Sequence, residues 1–212
     1  MATTYLQISA AGIGKGFEKG DGVKITVDSI EGLSNVFVNT EEDGKMSTNT
    51  YIVDKTDDTI TIIGIIDKAI NVSNNELTIE RKVPDMAFIT ECNNRLWGCS
   101  KDGHEIYCCK LGDPKNWNCF MGLSTDSYAA SCGTDGQWTG AITHLGYPLF
   151  FKENCMHKVY GSYPANYQIQ TTACRGVQKG CERSLAIVNE VLYYNRNNRM
   201  LRDSRDTALS WQ

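Results

Sequence analysis

The chain has 212 residues, 41% of them hydrophobic and 22% charged, a formal net charge of −4 and a pI near 5.4. That size and balance allow one large or two small domains with a sizeable core and exclude a disordered chain. The acidic balance has the wrong sign for general nucleic-acid binding, and no run approaches the roughly 18 apolar residues of a membrane helix.

In chain order, Gly12-Ile-Gly14-Lys15-Gly16 comes first. A phosphate loop needs Gly-x-x-x-x-Gly-Lys-Ser/Thr between a strand and a helix; here Gly16 and Phe17 follow Lys15, so the segment reads as a turn between strands. The run to residue 84 holds short alternating segments: Val23 to Val27, Thr50 to Val53, Thr59 to Ile63 and Leu77 to Val83. Val-, Ile-, Thr- and Tyr-rich runs between Gly, Asp and Asn clusters predict antiparallel strands, and hence a small β-barrel or sandwich over residues 1–84. Glu41-Glu42-Asp43 and Asp57-Asp58 sit beside turn residues and read as solvated acids, not as a glycosidase pair. The Asn71-Val-Ser73 sequon carries no meaning without a secretory route, and the N-terminus shows no apolar signal-peptide core, so synthesis and folding in a cytoplasm are expected.

From residue 85 onward one segment occurs three times: Ile89 to Leu96-Trp97, Ile142 to Leu149-Phe150, and Leu185 to Leu192-Tyr193. Each has an apolar residue, Leu seven positions later and then an aromatic, with starts 53 and 43 residues apart. Such periods approach those of β-propeller blades. Hairpins are expected through Lys101-Asp102-Gly103-His104 and through Glu153-Asn154, and Pro114-Lys-Asn116-Trp117 corresponds to Pro164-Ala-Asn166-Tyr167. The expected fold is all-β: the small N-terminal domain, then over residues 85–212 two complete and one partial propeller-type blade, an incomplete propeller read as a fragment of a longer one.

All nine cysteines lie after residue 91, with no Cys-x-x-Cys pair. They read as reduced, buried small hydrophobes. Cys155-Met-His157 is too close and isolated for a zinc site, and Cys155, His144 and Asp126 make a nucleophile set only on paper. No catalytic, metal or cofactor residue is therefore expected. The Arg and Lys residues from Arg175 to Arg205 read as a solvated face. Trp97 and Trp117 recur with the repeat and are expected to pack, whereas Trp138, Tyr147 and Tyr163 lie outside it and are the candidates for an exposed binding or assembly surface.

Three stretches carry a family resemblance: Pro84 to Cys99, Leu111-Gly-Asp-Pro-Lys-Asn-Trp117, and Leu149 to Asn154 with His157-Lys-Val-Tyr-Gly161. They resemble virion proteins of tailed bacteriophages of Firmicutes, in which propeller blades carry an inserted small β-domain; the likeness spans roughly residues 15 to 194. The resemblance implies a tail-hub, nozzle or DNA-stabilising component: not an enzyme, made in the bacterial host cytoplasm and resident in the virion. Its implied partners are other copies of itself and other virion proteins; the absence of a long apolar run and the acidic balance argue separately against a membrane span and against general nucleic-acid binding. A carbohydrate-binding module that recognises the host surface is the alternative.

Overall fold

A computed structural model of the chain describes residues 5–28, 41–42, 45–63, 77–196 and 199–202. The Asn71 sequon, Asp43 and Arg205 fall outside the described residues. The protein is all-β, with antiparallel sheets and, among the described residues, two short 3-10 turns, Pro164–Asn166 and Glu182–Ser184. Among the described residues no helix is long and apolar enough to cross a membrane.

The chain divides into two compact units. The first comprises residues 1–83 and, as a difference from the sequence reading, residues 115–121. Its strands are β1 (Tyr5–Ser9), β2 (Gly22–Asp28), β3 (Glu41–Glu42), β4 (Lys45–Tyr51), β5 (Asp54–Lys55), β6 (Thr59–Ile63) and β7 (Leu77–Arg81). They form one sheet of order β1-β6-β5 and another of order β3-β4-β2-β7. Period-two alternation turns Leu6, Val23, Ile25, Ile60 and Ile62 inward, and with Ile52 they make one core shared by both sheets.

The glycine-rich segment at residues 11–16 is a turn. Gly14 donates its N–H to the Asp57 carbonyl, and the Asp58 carboxylate caps the Gly12 N–H at 2.7 Å. A Cβ on Gly14 would lie 1.9 Å from the Thr56 carbonyl oxygen, so close backbone approach accounts for that glycine.

The second unit, residues 84–114 and 122–212, stacks three sheets. The first holds β8 (Met86–Cys92), β9 (Arg95–Ser100), β10 (Glu105–Cys108) and β11 (Tyr128–Ser131). The second holds β12 (Trp138–His144), β13 (Tyr147–Lys152), β14 (Cys155–Tyr160) and β15 (Gln168–Ala173), and the third β16 (Ala186–Val188), β17 (Val191–Arg196) and β18 (Arg199–Arg202). Each is a meander whose strands pair in sequence order.

Every copy of the repeat is the first hairpin of one sheet. Its turn has two residues, both at positive φ: Asn93-Asn94 (53° and 58°), Leu145-Gly146 (49° and 78°) and Asn189-Glu190 (50° and 64°). That is the geometry of a type I′ turn, whose twist matches the flanking strands. The turns are 52 and 44 residues apart, so the hairpin phase makes Ala141, not Ile142, the position equivalent to Ile89 and Leu185, each four residues before its turn. The Leu-aromatic match hides this one-residue slip because β13 is apolar on both faces.

The slip matters because a strand alternates faces. Trp97, Leu149 and Tyr193 share one face, the leading face, which in the first two sheets looks toward the next sheet in the chain. Gly98, Phe150 and Tyr194 share the opposite, trailing face. The leading face of the first sheet (Cys92, Trp97, Cys99, Ile106, Cys108) packs on the trailing face of the second (Trp138, Phe150, Val159). The leading face of the second (Leu149, Phe151, Met156) packs in turn on the third (Leu192, Tyr194). Strand β13 of the middle sheet, buried along nearly its whole length, is accordingly a near-continuous apolar run.

Candidate functional site

Of the three residues expected at an exposed surface, Trp138 is not exposed. It begins β12 on the trailing face and is sealed between the first two sheets, 4% accessible. Its ring meets Phe150 and His157 at centroid distances of 5.9 and 4.9 Å, and the Lys152 ammonium lies 4.6 Å above it. Tyr147 is half-buried on the leading face of the second sheet, 5.0 Å from Tyr160, with Lys158 Nζ 4.5 and 5.0 Å from the two rings. Tyr163 is 43% exposed in the loop after β14, where its N–H donates to Asn166 Oδ1. These residues occupy different places and form no common surface.

Around Trp138 the polar groups are structural. Lys152, 1% accessible, donates to the Thr134 carbonyl at 2.6 Å, and Thr134 Oγ1 meets His157 Nε2 at 3.0 Å. Burial and the neighbouring Lys152 charge push the His157 pKa down to about 4, so the imidazole is neutral at pH 7. Cys155 lies on the trailing face of the second sheet and His144 on its leading face, while Asp126 accepts the Leu123 N–H. The three cannot act together. All nine cysteines are free and seven are buried; burial raises the thiol pKa of Cys99 and Cys108 to about 12, the reverse of an activated nucleophile. Among the described residues no group of three metal-ligating side chains occurs.

The two Pro-x-Asn-aromatic elements serve different ends. Asn166 caps the 3-10 turn and sets Tyr167 against Trp97 and Tyr128, with ring centroids 4.9 and 5.1 Å apart. Asn116 belongs to the first unit and donates to the buried Asp21 carboxylate at 2.6 Å, which Arg81 also contacts at 3.0 Å. Gly22 admits this segment, because a Cβ there would lie 2.3 Å from Asn118 Cβ.

Two features with binding capacity emerge. In the first unit a pocket of about 500 Å³ is lined by Gly20, Gly22, Thr50, Tyr51, Lys82, Asn118, Phe120 and Met121. Tyr51 and Phe120 are each more than half exposed, an unusual state for aromatic rings flanking a cavity. Sequence reasoning missed it because Phe120 and Met121 come from a segment that follows β8, β9 and β10, far along the chain from the strands they join. In the second unit, the outward leading face of the third sheet is apolar: Val188 and Met200 are 55% and 65% exposed beside Val191 and Tyr193. Of the arginines of this region, Arg196 is spent on the Glu153 and Gly176 carbonyls and on Asn154 Oδ1.

No protein-family model, no curated protein and no solved structure matches the chain.

Proposed function

We propose that this chain is a structural virion component, of the tail or the head-tail junction, that works by subunit assembly and not by catalysis. The virion setting rests on the sequence resemblance. The assembly role is supported by one observation: the three-sheet stack ends in an exposed apolar sheet face of the kind that the same stack buries internally. A propeller-type ring is the architecture this reading expects. Electron microscopy of the purified chain tests it. Rings or short tubes of uniform width are the expected result, and a field of single small particles at micromolar concentration would overturn it.

A second reading, recognition of a host-surface glycan, is favoured by the first-unit pocket. Tyr51 and Phe120 offer rings on which sugar C–H faces stack, and Lys82 and Asn118 stand beside them. Calorimetric titration with host cell-wall glycans should then show binding that Phe120→Ala abolishes. Heat signals indistinguishable from dilution would remove this reading.

A further inference from the structure

The contact between neighbouring sheets is made twice in this chain, each time leading face on trailing face, and each time with the same polar tie. The residue just before the hairpin turn reaches the carbonyl of the second turn residue in the next sheet. Cys92 Sγ donates to the Gly146 carbonyl at 3.2 Å, and the equivalent His144 Nε2 meets the Glu190 carbonyl at 2.7 Å. Within the second unit, the faces left over among the described residues are the trailing face of the first sheet and the leading face of the third. They are the two halves of the contact already used twice.

Their surfaces match in three respects. The first sheet's trailing face carries an apolar row across all four strands, Ile89, Gly98, Tyr107 and Ala129, in which Ile89 is 58% exposed. The third sheet's leading face offers Val188, Val191, Tyr193 and Met200. The charges are opposite: Glu91 and Glu105 flank the first row, whereas Arg202 lies in the row of Tyr193. The polar tie is altered on both sides at once. Val188, which donates nothing, stands where Cys92 and His144 donate, and the corresponding acceptor, the Asn94 carbonyl, already takes the Gly112 N–H at 3.1 Å. An apolar side chain over a satisfied carbonyl leaves no polar atom buried without a partner.

We infer that a second copy of this chain docks the trailing face of its first sheet onto the leading face of the third. The inference rests on the assembly reading and deepens it by naming the two surfaces. The contact is heterologous, so it propagates head to tail into a ring if the rotation closes and into a fibre if it does not.

Light scattering of the full chain and two variants tests this. Val188→Lys spoils only the leading face and Ile89→Lys only the trailing face, and both positions are exposed, so folding is unaffected, which circular dichroism checks. The expected result is a wild type larger than a dimer, each variant at the monomer mass of 23.6 kDa, and an equimolar mixture of the two variants at twice that mass, because one intact contact remains between them. An oligomer that survives both substitutions overturns these surfaces while leaving the assembly reading standing. Loss of assembly in Val188→Lys alone, with Ile89→Lys a dimer, overturns the head-to-tail arrangement in favour of a symmetric one. A monomeric wild type at tens of micromolar overturns both the inference and the assembly reading.

Discussion

His157 shows how completely the stack excludes water. Its folded pKa, about 4, lies below the ordinary 6.5, so between those values the unfolded chain binds the extra proton. Stability from this residue is therefore whole above pH 6.5 and is lost on acidification toward pH 4, by as much as about 3 kcal/mol. Urea unfolding of wild type and His157→Gln at pH 7 and pH 4.5 checks the sign: the stability difference between the two proteins should shrink as the pH falls. A constant difference would mean that the imidazole is solvated. At this scale the sequence misled over Trp138. A tryptophan outside a repeated pattern reads as free surface, but the register of β12 turns it inward onto Lys152 and His157, and a lysine buried against a ring reads in hydropathy as an exposed charge. The cysteines were legible, because small hydrophobes scattered through apolar strands without metal-ligand spacing have few other uses.

At the scale of the element, the hairpins carry the information. The sequence shows the period but not its phase, since β13 is apolar on both faces and accepts either alignment. The phase lies in the turns, where Asn93-Asn94 and Asn189-Glu190 bear the Asn signal of a type I′ turn and Leu145-Gly146 bears only half of it. Leu145 holds φ at 49°, a conformation that costs an ordinary side chain about 1 kcal/mol, and it is 48% exposed. Leu145→Asn should therefore stabilise the protein by about 0.5–1 kcal/mol, seen as a higher urea midpoint at unchanged slope. A lower midpoint would show that the leucine side chain contributes more by packing than its turn conformation costs.

At the scale of the molecule, the all-β architecture and the change of texture near residue 84 were readable, since alternation and turn chemistry are local properties. The assignment of residues 115–121 was not. It depends on a buried carboxylate, Asp21, meeting Asn116 across ninety-five positions, and no periodicity encodes such a pairing. Asn116→Ala removes one charge-assisted bond from a carboxylate that Arg81 still holds, at an expected cost of about 1–3 kcal/mol confined to the first unit. Hydrogen exchange should show faster exchange in β2 and β7 with β13 and β14 unchanged. Uniform acceleration would mean that the two units unfold as one.

That distant segment also dictates an order of events during synthesis. A chain emerging from the ribosome has made every strand of the first unit by Arg81, yet the residues that meet Asp21 and line its pocket follow only at Asn116 to Met121. Between those points β8, β9 and β10 must appear. The amino-terminal unit is thus the first to be begun but cannot be the first to be finished, and its completion waits upon translation of a part of the polypeptide whose remaining residues belong elsewhere.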